Sequence, residues 1–218
     1  MKTLRVVLIV TTIVLFSSCS KERLEGNGRI VTEVRNLGNF SGVLNSGSKH
    51  IHVNYGSDYR VELRGSSNLI PAYRTQIING NLNLSYEKVN VRNDDLEVYV
   101  TMPVIRRADL SGSGKISING SFPAQDYFEC IVSGSGDIQV YGGFDRNEVD
   151  VTISGSGRAD LLNIKSQRTK VFISGSGEAK VNATDHLKVK ISGSGSTYYT
   201  GNPTIESEIS GSGRVVRY

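Results

Sequence analysis

The sequence predicts an all-β chain, a single-domain parallel β-helix or β-solenoid, and three observations carry that prediction. The tetrapeptide Ser-Gly-Ser-Gly occurs six times, at 111–114, 133–136, 154–157, 174–177, 192–195 and 210–213. Apolar residues occupy alternate positions on both sides of it. The composition, with 24 Gly, 10 Tyr, 6 Phe and no Trp among 218 residues, suits short strands joined by many turns. At 38% hydrophobic and 21% charged, the chain has the balance of a folded protein.

The tetrapeptide starts lie 22, 21, 20, 18 and 18 residues apart. Aligned on it, the residue just before reads Leu110, Val132, Ile153, Ile173, Ile191, Ile209. Three before it stand Ala108, Cys130, Val151, Val171, Val189 and Ser207, and five before it Arg106, Phe128, Val149, Thr169, Leu187 and Ile205. Two after it come Ile116, Ile138, Ala159, Ala179, Thr197 and Val215. A period of two on both flanks marks β-strands with one buried face. Each unit is thus strand, SGSG, strand and a variable turn such as Asn119-Gly120.

A unit this short cannot bury its apolar face alone, so successive units must stack. One coil per repeat, with each strand pairing in parallel with its counterpart, is the economical solution. The crossover rule for parallel strands predicts a right-handed winding. A left-handed hexapeptide solenoid needs an aliphatic residue at every sixth position, which these coils lack. Residues before 105 keep the alternation, as in 58–64, 82–84 and 96–102, and Leu44-Asn-Ser-Gly-Ser48 reads as a degenerate corner. The expectation is about ten coils of roughly 18–22 residues, a rod about 50 Å long at ~4.8 Å per coil.

In that arrangement the tetrapeptide is a corner of the coil. Gly112, Gly114, Gly134, Gly136, Gly155, Gly157, Gly175, Gly177, Gly193, Gly195, Gly211 and Gly213 are its structural glycines. Glycine suits a corner with no room inside and tolerates unusual backbone angles. A phosphate-cradling loop would lead into a helix with a Gly-Lys-Ser/Thr, and these lead into strands.

The first residues predict export. Lys2 and Arg5 precede an apolar run of eleven residues, Val6 to Phe16. That is too short to span a bilayer, which takes about 20 residues, but it suits a signal-peptide core. Leu15-Phe16-Ser17-Ser18-Cys19 resembles a bacterial lipobox, with Cys19 the lipidated residue, although a plain signal peptide fits too. The expected organisation is a lipoprotein signal peptide at 1–18, a short tether at 19–27 and the solenoid at 28–218. Ser20 after the cysteine suits sorting to the outer membrane. Removing 1–18 takes away two basic residues and leaves 23 basic and 21 acidic side chains, a net charge of 23 − 21 = +2. The full sequence's +4 and pI near 9.0 therefore overstate its basicity.

Outward columns point away from a single-sign ligand. Directly after SGSG come Lys115, Asp137, Arg158, Glu178, Ser196 and Arg214, and four before it Arg107, Glu129, Asp150, Lys170, Lys188 and Glu206. Stacked coils bring such charges together, so alternating signs fix register. Nucleic acid is not an expected partner. Two apolar residues interrupt the polar columns, Ile131 and Phe172, and form a candidate contact patch. Scattered exposed apolar residues are equally ordinary.

Candidates for chemistry are sparse. Cys130 falls in an inward column and reads as a small buried hydrophobe. His50 and His52 share a strand face but lack a third ligand, and two ligands do not make a metal site. His186 stands alone. Asp94-Asp95 is an adjacent carboxylate pair, but glycoside hydrolysis needs carboxyls about 5–9.5 Å apart across a substrate. No catalytic residue, cofactor or metal is predicted.

The apolar-SGSG-x-apolar unit, together with Val98-Tyr-Val-Thr-Met-Pro103, Tyr199-Thr-Gly-Asn-Pro203 and a last SGSG near residue 213, resembles the bacterial autotransporter-adhesin head GIN domain family. The likeness covers about 28–218, and family members often carry SGAG where this chain has SGSG. The resemblance implies an exported or lipid-anchored protein and transfers no catalytic or ligand residues. The functional expectation is a non-enzymatic lipoprotein of the cell envelope, held in outer-membrane lipid through Cys19. It would act as an adhesin or surface interaction module for a protein or glycan. The alternatives are a polysaccharide-acting β-helix enzyme, or a periplasmic scaffold whose rods assemble end to end through the C-terminal coil. There Arg214 and Arg217 would guard an open strand edge.

Overall fold

A computed structural model describes residues 23–87 and 89–218. Cys19, the signal peptide and the first part of the tether lie outside the described residues. The N-terminal part contains β1 (Arg23–Glu25), β2 (Ile30–Arg35), β3 (Gly42–Ser46), β4 (His50–Tyr55), β5 (Arg60–Ser66), β6 (Tyr73–Ile78), β7 (Asn81–Tyr86), β8 (Asn90–Arg92) and β9 (Glu97–Met102). The repeats contribute β10 (Arg107–Gly112), β11 (Lys115–Asn119), β12 (Gln125–Gly134), β13 (Asp137–Val140) and β14 (Phe144–Gly155). After them come β15 (Arg158–Gly175), β16 (Glu178–Gly193), β17 (Ser196–Thr200), β18 (Thr204–Gly211) and β19 (Arg214–Arg217). One 3-10 turn, Ile70–Ala72, is the sole helical element among the described residues.

The protein is an all-β solenoid. Two parallel ladders flank the SGSG corner. In the first, Leu110, Val132, Ile153, Ile173, Ile191 and Ile209 are successive register partners. In the second, Ile116, Ile138, Ala159, Ala179, Thr197 and Val215 are. Strands of 18 and 16 residues arise because β15 and β16 each pass from one ladder to the other, their mutual register shifting between Asp160 and Lys165 and between Ser166 and Arg168. Ala108, Cys130, Val151, Val171 and Val189 stack as a fully interior column, at most 1% exposed.

The solenoid makes about five turns, not ten. The error lies before residue 105. There the alternation is real, but the chain doubles back instead of winding on. Strand β3 sits between β10 and β7, and β4 between β11 and β9. The coil at 42–55 is therefore inserted, out of chain order, between 81–102 and 107–119. Beyond it the pairing turns antiparallel: β5 on β9, β2 on β5 and β6 on β7. A two-residue Asn79-Gly80 hairpin with φ of 51° and 74° joins β6 to β7, the loop whose twist suits antiparallel strands. These strands close the stack at one end over Phe40, Leu63, Ile70 and Tyr73, all buried. Residues 23–25, placed in the tether from sequence, form β1 and pair with β8. Arg106, in an apolar column by alignment, is exposed, and Ile105 beside it is buried instead.

Candidate functional site

Each corner uses its two glycines for different reasons. The first of each SGSG has φ between 118° and 128°, backbone that L side chains rarely adopt. Its carbonyl serves the next coil: Gly134 O accepts from Ser156 N at 2.9 Å and Gly157 N at 3.0 Å. The second glycine is a matter of space. A Cβ on Gly157 would lie 2.5 Å from Val132 Cγ1, and one on Gly177 2.4 Å from Ile153 Cγ2. The hydrogen-bond ladder thus runs through the bend without a gap, and the corners are scaffold.

The corner at 46–49 departs from this pattern for a visible reason. Asn45 takes the place of Leu110 in register, and Lys49 the place of the second glycine. Below them β7 and β9 are joined by an excursion through β8 and not by a tight corner, which leaves room for a side chain. Lys49 fills it: its Nζ lies 2.5 Å from Asp94 Oδ1 and donates to Leu96 O at 3.0 Å. Tyr86 donates to the same Asp94 oxygen at 2.7 Å, and Asn45 Nδ2 donates to Lys49 O at 2.9 Å. Asp95 accepts from Ser66 N and Oγ at 2.8 and 2.7 Å. Burial acts to raise the Asp95 carboxyl, but those two hydrogen bonds, with its own backbone N–H and the Lys49 charge, together outweigh it and hold it below its ordinary value. The adjacent carboxylates serve separate structural partners.

His50 and His52 do come together on the outer face. Their rings are 3.9 Å apart, and His52 stacks on Tyr99 at 4.7 Å. His50 Nε2 lies 2.7 Å from Ser117 Oγ. Burial lowers both pKa values, with His52 and Lys115 adding for His50 and Lys115 for His52, against Glu97. Cys130 is fully buried, and desolvation, with Asp109 and Glu129 nearby, pushes its thiol far up, the state of an inert cysteine. Among the described residues no cluster of three or more His, Cys, Asp or Glu could hold a metal.

The charged columns pair along the stack. Arg107 reaches Glu129 at 2.5 Å, Arg158 Asp137 at 3.0 Å, Lys188 Glu206 at 2.7 Å and Lys190 Glu208 at 3.0 Å. Lys170 bridges Glu148. The two apolar residues of the candidate patch are not neighbours. Thr152 stands between Ile131 and Phe172 in register. Phe172 is 38% exposed and borders a shallow hollow with Ile153, Ile173 and Lys190, while Ile131 is half-buried.

Sequence reasoning missed Arg146. Extending the alternation backwards from Ile153 would point it outward. The phase slips over residues 147–148, and Arg146 is 3% exposed with the guanidinium 4.3 Å over the Phe144 ring. It donates to Pro123 O at 3.0 Å, Asp145 O at 2.7 Å and Ile105 O at 3.0 Å, tying together the turns of neighbouring coils. Desolvation brings its pKa down to about 10. Beside it opens a groove of about 450 Å³.

The described residues form a glycine-cornered parallel β-solenoid with ion-paired outer columns and one end closed by antiparallel strands. The family model described as "Putative auto-transporter adhesin, head GIN domain" matches residues 39–203, and the chain belongs to that family. Solved structures share the fold at low identity. A putative adhesin from Bacteroides fragilis NCTC 9343 superposes with a TM-score of 0.73 at 18% identity, over 89% of this chain and 100% of that one. A putative lipid binding protein from Parabacteroides distasonis ATCC 8503 gives 0.64 at 17%, over 90% and 100%. A putative adhesin from Parabacteroides merdae ATCC 43184 gives 0.57 at 17%, over 90% and 99%. No curated protein matches the sequence.

Proposed function

We propose that this chain is a non-enzymatic adhesin or interaction module of the bacterial cell envelope, anchored in outer-membrane lipid through Cys19 and wound right-handed. Membership of the head GIN family is the observation that carries it. It is supported by the fate of the residues with chemical potential, since Asp94, Asp95, His50 and Cys130 are each engaged in packing or structural hydrogen bonds. The lipobox-like Leu15-Phe16-Ser17-Ser18-Cys19 supports the anchor. Protease treatment of intact cells tests the reading. The expected result is cleavage of the chain on intact cells and loss of membrane association in a Cys19→Ala variant. Full protection beside a cleaved outer-surface control would replace the adhesin with a periplasmic scaffold.

End-to-end assembly is a second reading, favoured by one observation. Ile205 and Ile209, members of interior columns, are each 40% exposed in β18.

A further inference from the structure

The groove beside Arg146 spans four coils at the bend where the alternation slips. Gln125, Arg146 and Ser166 are successive register partners along its floor, and Thr184 lines it from the coil beyond. Its walls carry Asp145 and Asn147 from the second coil, Lys165 and Gln167 from the third and Asp185 from the fourth. Its volume, about 450 Å³, lies in the range of small-ligand sites. Ala124 is the one apolar residue in the lining and no aromatic ring lines it, so nothing there selects a lipid tail.

Asp145 and Lys165 are direct register partners of opposite charge. Equivalent neighbours elsewhere form ion pairs, as Arg158 does with Asp137, yet these two do not. Among the described residues, the side chains of Asp145, Lys165, Gln167 and Asp185 form no hydrogen bond and no ion pair, though all four line one groove. The walls therefore hold a ring of donors and acceptors with no protein partner. Beneath them Arg146 is fixed by three carbonyls and gives a rigid floor. The charges cancel, with Arg146 and Lys165 against Asp145 and Asp185, so neither a polyanion nor a polycation is complemented.

A neutral ligand rich in hydroxyls, which both donate and accept, matches this lining, and carbohydrates have that chemistry. We propose that this groove binds a neutral oligosaccharide. Asp185 and Gln167 would take adjacent hydroxyls and Lys165 would donate to a ring or hydroxyl oxygen. At ~4.8 Å of rise per coil, the three steps between four coils span about 14 Å, which accommodates roughly two or three sugar rings. The inference deepens the adhesin reading and rests on it for its biological sense, but binding by the pure protein is independent of where the protein resides.

Titration calorimetry of the purified full chain with maltotriose, mannotriose and triacetylchitotriose tests it. Lys165, Gln167 and Asp185 are exposed, so Gln167→Ala and Asp185→Ala should leave the melting temperature unchanged. The expected result is saturable binding of at least one trisaccharide, weakened about tenfold or more by each variant. No heat with any of the three at millimolar concentration, or an affinity in both variants equal to that of the unaltered chain, would overturn the groove. Protease shaving of cells reports separately on the adhesin reading. Chromatography of the titrated sugar separates the other case: new products would sink the non-enzymatic reading while leaving the groove as the binding site.

Discussion

A Cβ at Gly155 would lie 2.5 Å from the carbonyl oxygen of Gly134, one coil below. That oxygen already accepts two N–H groups of the same corner, from Ser156 and Gly157. At φ 118° a side chain adds backbone strain of about 1–2 kcal/mol, and overpacking adds about 1–3 kcal/mol. Gly155→Ala should therefore destabilise by about 2–5 kcal/mol in urea unfolding. Gly157→Val should act as strongly, because its side chain would meet Val132. Ser154→Ala, at an exposed position, should stay within about 0.5 kcal/mol. Equal midpoints for the three variants would show that the corner is not scaffold.

Lys49 and Asp94 pose the opposite problem, a charge pair held inside. Their side chains are 10% and 19% exposed, and Lys49 also satisfies the carbonyl of Leu96. Lys49→Met should cost about 3–5 kcal/mol, since it leaves a carboxylate desolvated without its cation. The double change Lys49→Met with Asp94→Asn should recover part of that loss. A double-mutant cycle with no coupling energy would mean that the pair does not hold the inserted coil to the 93–96 segment.

How far these features could be read in advance follows from what period two encodes. Alternation identifies a strand and its buried face, so the columns from Leu110 to Ile191 and the corner glycines were legible. It carries nothing about partner or direction. Residues 58–64 and 96–102 alternate as well as any repeat, yet β5 and β9 run antiparallel and β3 is paired out of order. The Asn79-Gly80 pair was a local signal only for the neighbouring β6–β7 reversal. Arg146 was hidden by a phase slip of one residue, which places a cation where the count assigns an outward position. The groove depends on that same slip, and no tetrapeptide marks it.

Histidine protonation gives a pH dependence whose direction is fixed. His50 and His52 have pKa values lowered chiefly by burial, with Lys115 adding and Glu97 opposing. The folded chain thus holds fewer protons than the unfolded chain as pH falls through about 6.5, so stability rises with pH in this window. Acidifying from about pH 7.5 to 5.5 should lower the melting temperature, and His50→Gln with His52→Gln should flatten the slope. Asp95 and Glu148, whose pKa values are lowered, lose their contribution only further down, near the carboxylate range. An identical slope in the variant would rule out the histidine pair as its source.

The last coil carries a contradiction that end-to-end assembly would resolve. Ile205 and Ile209 continue columns in which Leu187 and Ile191 are 0% and 1% exposed, yet each is 40% exposed. Every residue of β18 is exposed, and among the described residues no strand pairs with its far edge. Apolar surface of this kind favours burial by about 25 cal/mol per Å², and an unpaired edge is a template for another strand. Charges partly guard it: Glu206 and Glu208 lean on Lys188 and Lys190, while Arg214 and Arg217 line β19. A second copy meeting this end could set the acidic strand of one against the basic strand of the other, burying both isoleucines. Light scattering of the full chain should then show mass rising with concentration. Ile209→Asp should return it to monomer with little change in melting temperature, because the position is already open to water. A concentration-independent monomer in the unaltered chain would remove end-to-end assembly.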